Sequence, residues 1–243
     1  MFSTDPAKAT GGRVIYAIGD IHGRADLLDR LLEAIRADVR EGAPPPMLVF
    51  LGDYVDRGVE SRAVIDRLLA LREDATFETR FLKGNHEHAL LDFLKQSQSG
   101  HAWLAFGGAE TLYSYGVRVP SGRAEQDELR RTSEALRAAL PREHLGFLKE
   151  LELVIRCGNY VFVHAGLKPG KSLEAQEEDD LLTIRDAFLN GKRKWPFTIV
   201  HGHSPEPNVH IDKRRIGVDT GAYATGRLSA VRLEGENVRV FTT

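Results

Sequence analysis

The chain has 243 residues, of which 42% are hydrophobic and 28% charged, with a formal net charge of −2. That is enough chain to bury a substantial core as one domain, and its well-mixed charges exclude the basic excess of a nucleic-acid binder. No apolar run approaches the roughly 20 residues that a membrane helix needs, which excludes a spanning segment.

The opening residues, MFSTDPAKATGG, lack the basic flank and apolar stretch of a secretory signal. They are expected to form a loose tail over 1–12 ahead of one domain over 13–243, and the chain is expected to act in the cytoplasm. RVIYAI at 13–18 predicts a strand, and Leu27, Leu28, Leu31, Leu32 and Ile35 follow at helical spacing. After a loop at PPP (44–46), MLVFL at 47–51 predicts a second strand. A second helix follows through Val64, Ile65, Leu68, Leu69 and Leu71, then a third strand at 78–82, ETRFL. This alternation predicts parallel βαβ units. A helical block spans roughly 125–150. Cys157 stands alone, which rules out an intramolecular disulfide, and its apolar setting in LVIRC predicts a buried structural thiol. Strands are expected at 160–163 and 197–200, with the acidic run EAQEEDD (174–180) as a solvated loop between them and KRK (192–194) as a solvated basic helix end. From Arg215 onward the pattern is short strands separated by Gly and Asn turns. The class is therefore α/β, with mixed sheets and helices outside.

Metal-capable residues follow strand after strand: Asp20 and His22 in GDIHG, Asp53 in GDYVDRG, Asn85 and His86 in GNHE, His164 in HAG and His203 in GH. In open α/β sheets the carboxyl ends of the strands line one crevice, so residues distant in sequence can meet there. Single Asp-Gly pairs are ordinary turns, but five such motifs at successive strand ends point to a site that could hold two ions. Each motif also carries Gly, which permits a sharp turn and close approach of a substrate. Asp53 is the candidate bridge, because a carboxylate shared by cations about 3.5–4 Å apart holds them where they clamp a phosphoryl group and activate water. The mixed nitrogen and oxygen donors suit Mn, Fe, Zn or Co better than Ca or Mg, and two Mn ions are the expectation.

In this order, GDIHG, GDYVDRG, GNHE, HAG and GH resemble the phosphoprotein phosphatase branch of the calcineurin-like metallophosphoesterases. The likeness extends from Asp20 to Asp219, and GGAETLYSYG, LLTIRDAFL and GVDTGA look like segments of its bacterial members. The resemblance implies a four-layer α/β/β/α sandwich. It also implies one metal on Asp20, His22 and Asp53 and the other on Asp53, Asn85, His164 and His203. His86 would be the general acid, oriented and charged by Asp56, since a carboxylate partner keeps an imidazole protonated near neutral pH. Arg57 and Arg185 match positions that grip phosphate oxygens with forked donors. Lys83 departs from the pattern, which commonly has Arg before GNHE, and can supply only a point charge. The implied activity is hydrolysis of phosphoserine or phosphothreonine in a phosphorylated protein or peptide by metal-activated water, without a covalent phosphoenzyme. The rival readings are a symmetrical dinucleoside tetraphosphatase and a silent phosphate-binding protein. No nucleic-acid or membrane partner is expected.

His201 shares a strand face with His203 and is expected behind the ligands or at the rim. His88, His101, His144 and His210 lack ligand spacing and are expected at surface or satisfied core positions.

Overall fold

The computed structural model describes residues 9–122, 124–192 and 194–243. Two five-stranded mixed sheets form its centre. The first is built as the alternation predicts: β1 (Val14–Ile18), α1 (Ala25–Asp38), β2 (Met47–Phe50), α2 (Ser61–Arg72) and β3 (Glu78–Phe81), with β1, β2 and β3 parallel. α3 (Asn85–Lys95) leaves β3 and is followed by a broken helical stretch. In it α4 (Gly100–Trp103) passes through a π-type segment, Leu104–Gly108, into α5 (Ala109–Ser114), the break falling at Gly107 with φ +105°. The helical block at 125–150 is two helices, α6 (Gln126–Ala139) and α7 (Arg142–Glu150), because Pro141 between them cannot continue the first.

The second sheet begins with β4 (Val154–Cys157) and β5 (Tyr160–Val163). α8 (Glu178–Thr183) and α9 (Asp186–Leu189) then lead to β6 (Thr198–His201), β7 (His210–Ile211) and β8 (Arg215–Gly217). Its order is β4-β5-β6-β8-β7, with β5, β6 and β8 parallel. The chain then makes the short α10 (Ala222–Thr225) and returns to the first sheet as β9 (Ser229–Glu234) and β10 (Asn237–Thr242), antiparallel on the free edge of β1.

Strand alternation produces the four layers. Ile15, Ala17, Met47 and Val49 from the first sheet meet Tyr160, Phe162, Val200 and Ile216 from the second in one buried cluster. The alternate residues Tyr16, Ile18, Leu48 and Phe50 point outward into the cluster formed with α1, α2, α3, α6 and α7. On the far side, Val161, Val163 and Ile199 pack against Leu181 of α8 and Phe188 of α9. Such interdigitation contributes about 25 cal/mol for each Å² of apolar surface removed from water. It fixes the carboxyl ends of β1, β2, β3, β5 and β6 at one edge of the sandwich.

Three local expectations are corrected. Glu178, Asp179 and Asp180 of the acidic run open α8 rather than lying in a loop, since acidic side chains stabilise the first turn against the helix dipole. Cys157 is half-buried, not fully buried, and its Sγ donates to the Thr10 carbonyl at 3.3 Å. Residues 1–8 of the expected tail lie outside the described residues, but Ala9 and Thr10 are buried at 3% and 1% exposure, with the Ala9 carbonyl accepting the Asn159 N–H. Of KRK, Lys192 and Lys194 are exposed and Arg193 lies outside the described residues. None of the described helices is long and apolar enough to cross a membrane.

Candidate metal centre

The strand ends bring the expected residues together. Asp53, just beyond β2, is the hub: its Oδ2 lies 3.5 Å from His22 Nε2, 3.5 Å from His164 Nε2 and 3.9 Å from His86 Nε2. Donor atoms of Asp53, His22 and His86 form one buried group that could hold an ion, and those of Asp53, His164 and His203 form a second. Asn85 Oδ1 joins the second group, 3.0 Å from His164 Nε2 and 2.8 Å from His203 Nδ1. Asp20 stands one step behind, both of its oxygens accepting the His203 backbone N–H at 3.2 and 3.0 Å. The glycines of GNHE and GH leave room chiefly for protein carboxylates, because a Cβ on Gly84 would fall on Asp53 and one on Gly202 on Asp20.

Backbone carbonyls set which ring nitrogen faces inward. His22 Nδ1 lies 3.0 Å from the Val55 carbonyl and His164 Nδ1 lies 2.8 Å from that of Leu51. Each Nδ1–H therefore donates outward and leaves the Nε2 lone pair aimed at Asp53. Five non-glycine residues adopt positive φ among the described residues, and all are expected site residues: His22, Asp53, Asp56, Arg57 and His203. Such conformations cost of order 1–3 kcal/mol each and persist where the surroundings dictate them.

Four imidazoles share the site, and one behaves differently. Burial pushes His22 and His203 down to about 3 and lowers His164 as well, so these rings stay neutral and keep a lone pair for a metal. Burial also works against the charged form of His86, but the Asp53 charge and the Asp56 hydrogen bond outweigh it and raise His86 above its ordinary value. His86 Nδ1 lies 2.7 Å from Asp56 Oδ2, while its Nε2 is buried without a hydrogen-bond partner among the described residues. Its charge and its carboxylate partner set that ring apart from the other three.

The carboxylates carry the complementary signature. Burial and the charges of Asp219 and Asp53 raise Asp20, and burial with the Asp53 charge moves Asp219 to about 6 and Glu87 to about 7. Crowded buried anions of this kind are stabilised by cations among them. Together with the unpartnered Nε2 of His203, they fit a two-metal centre.

Residues 13–238 match the calcineurin-like phosphoesterase family. The chain belongs to that family. Serine/threonine-protein phosphatase 1 of Salmonella typhimurium is 31% identical, over 93% of this chain and 95% of its own length. The asymmetrical bis(5'-nucleosyl)-tetraphosphatase PrpE of Bacillus velezensis is 28% identical, over 92% of this chain and 90% of its own. A solved structure proposed to be a diadenosine tetraphosphatase superposes with a TM-score of 0.65 at 24% identity, covering 95% of this chain and 93% of its own. As a calcineurin-like phosphoesterase, the chain is a hydrolase of phosphate esters whose His and Asp residues are arranged for two metals.

The phosphate-gripping candidates of this phosphoesterase are placed unequally. The Arg57 guanidinium stacks 4.6 Å from the Tyr223 ring, and that ring lies 5.4 Å from His22. Arg185 is exposed, just before α9, and its charge acts on His164 and His203. Lys83 is committed elsewhere, its Nζ 3.1 Å from Glu178 Oε1. His201 is fully buried, so it lies behind the ligands and not at the rim, its Nε2 held 3.1 Å from Arg215 Nη1. His144 is a satisfied core residue between Tyr115 and Asp66, while His88 and His101 are exposed and His210 pairs with Asp212 near the surface.

Several supporting residues escaped the sequence reading. Glu87 accepts four backbone N–H groups, from Gly84, Asp53, Tyr54 and Val55 at 2.8–3.2 Å, and so locks the two central loops together. Thr111 and Trp103 donate to Asp56 from either side of the π-type segment. Asp219 sits against Asp20. The available signals were the last letter of GNHE, the Thr of GGAETL and the Asp of GVDTGA.

Proposed function

We propose that the chain hydrolyses phosphate monoesters, with phosphoserine and phosphothreonine in proteins as its substrates. The observation that carries this reading is the buried His86–Asp56 pair, whose open Nε2 faces the group formed with Asp53 and His22. In this reading Asp20, His22 and Asp53 hold one divalent ion, and Asp53, Asn85, His164 and His203 hold the other. The donor set suits manganese, iron, zinc or cobalt, with manganese the first choice. When bound, the ions supply charge neutralisation and an activated water. The protein does the rest. Arg57 and Arg185 orient the phosphoryl oxygens, Tyr223 keeps the Arg57 plane in place, and His86 delivers its Nε2 proton to the departing alkoxide. Asp56, held by Thr111 and Trp103, keeps His86 charged for that transfer.

Replacing Arg185 by Ala is expected to raise KM for phosphorylated substrates by about 10-fold or more, the value of one charge-assisted hydrogen bond, with metal content unchanged. Steady-state kinetics with elemental analysis measure both, and unaltered kcat and KM would reduce Arg185 to a surface residue.

The full-length likeness to the Bacillus velezensis tetraphosphatase supports a second reading, hydrolysis of dinucleoside tetraphosphates. An assay with manganese separates the two by comparing peptides carrying phosphoserine, phosphothreonine and phosphotyrosine with diadenosine tetraphosphate. The expected order of kcat/KM puts the phosphoserine and phosphothreonine peptides first. A dinucleotide preference would overturn the protein phosphatase reading and leave the metal centre intact.

A further inference from the structure

Lys83 immediately precedes Gly84, Asn85 and His86, yet its ammonium reaches away from them to the Glu178 carboxylate at 3.1 Å. The Lys83 side chain is 17% exposed and that of Glu178 42%, so the pair sits at the protein–water boundary rather than free in solvent. Burial works against the Glu178 carboxylate, and the Lys83 hydrogen bond and charge outweigh it. His88 Nδ1 adds a contact with the same oxygen at 3.4 Å.

Glu178 is the first residue of α8, and the rest of that segment is tied to the metal centre. The Leu181 carbonyl accepts the N–H of Ala165, the neighbour of His164, at 2.9 Å, and Leu181 and Leu182 are buried. The Thr183 backbone and the Arg185 charge both act on His203. Arg185 itself is exposed, and its guanidinium makes no ion pair among the described residues, so its place is set by the segment that carries it.

We propose that Lys83 is a positioning residue: with Glu178 it forms a strut that holds α8, and through it Arg185, against the metal centre, and it does not itself grip phosphate. This rests on the reading of Arg185 as a phosphate-binding residue. A single ammonium suits the task, because one carboxylate oxygen needs a point donor and not a planar fork. The strut also links the turn that leads into Asn85 to the segment bearing Arg185 across 95 residues of sequence.

The rival arrangement is competition, in which Glu178 holds Lys83 only until a substrate phosphate displaces it. The two differ in sign for Glu178→Gln. On manganese-loaded protein, kcat and KM for nitrophenyl phosphate and the binding of inorganic phosphate by calorimetry are measured for Lys83→Met, Glu178→Gln and the charge swap Lys83→Glu with Glu178→Lys. Each is made alone and on Arg185→Ala. A half-exposed ion pair is a modest interaction, so both single variants are expected to raise KM and the phosphate Kd about 2- to 5-fold with little change in kcat. The swap is expected to restore wild-type values, and neither single variant should add to the loss in the Arg185→Ala background. Glu178→Gln that lowers KM or leaves it unchanged, or Lys83→Met that acts undiminished without Arg185, overturns the strut. A KM unmoved by Arg185→Ala alone overturns instead the reading on which the strut rests.

Discussion

Asp53→Asn is expected to abolish turnover and lower the metal content together. Asp53 occupies the centre of the site: one carboxylate oxygen faces His22 and His164 at 3.5 Å each, and the other accepts the His86 backbone N–H at 3.1 Å. An amide can replace the hydrogen-bond acceptor, but it offers one neutral oxygen where two cations need a shared anion. The change isolates chemistry from folding. Asn tolerates the left-handed backbone that Asp53 adopts, φ +54°, and removing this charge relieves repulsion on Asp20, Asp219 and Glu87. The same charge is itself stabilised by His164, His86 and His22, so the two effects oppose each other and the metal-free variant is expected to remain folded. Metal activation of this kind supplies several kcal/mol, and each 1.36 kcal/mol is tenfold in rate, so a loss of roughly 10³-fold or more is expected. Elemental analysis, phosphatase assay and thermal melts of the metal-free proteins make the measurement. Near wild-type activity with two ions still bound would sink the bridging role.

His86→Asn should behave differently, keeping both ions while slowing the chemical step according to the leaving group. His86 is the one imidazole of the four that is raised above its ordinary value, and its Nε2 has no hydrogen-bond partner among the described residues. General acid catalysis contributes about 10²- to 10⁴-fold, so a deficit of that order is expected with a phosphoserine peptide, whose alkoxide departs poorly. Nitrophenyl phosphate, which releases a fairly stable anion, should retain much more of its rate. The pH profile gives a second readout. A proton donor acts only while protonated, so the parent's kcat on the peptide should fall as pH rises through the His86 pKa, and that limb should vanish in the variant. Both comparisons require chemistry, not product release, to limit the rate. Equal losses on the two substrates with metals retained would rule out His86 as the leaving-group acid.

Sequence legibility followed the range of the interactions. Asp20, His22, Asp53, Asn85, His86, His164 and His203 could be found because residue type and place after a strand are local facts, and the sandwich brings strand ends together whatever the intervening loops do. Strand alternation likewise made the layers readable: Ile15 and Ala17 face one way, Tyr16 and Ile18 the other. What stayed hidden depends on partners distant in sequence. Nothing in KGNHE indicates that Lys83 meets a residue 95 positions on, or that Glu87 gathers N–H groups from a loop more than 30 residues earlier. The acidic run read as loop because charge density alone does not distinguish a solvated turn from a helix start, and α8 required the buried Leu181 and Leu182 beneath it to decide the matter.

The left-handed backbone at His22, Asp53, Asp56, Arg57 and His203 has a consequence for anyone improving this protein by selection. Glycine adopts such conformations freely, so at these positions heat resistance and the proposed catalysis pull in opposite directions. Arg57, partly exposed and, among the described residues, with no side-chain hydrogen bond beside its Tyr223 stack, is where the conflict is least masked by lost packing. A library screened for survival on heating alone would drift toward glycine there and discard the proposed phosphate contact, while one screened for turnover would keep the strained arginine and accept a lower melting temperature.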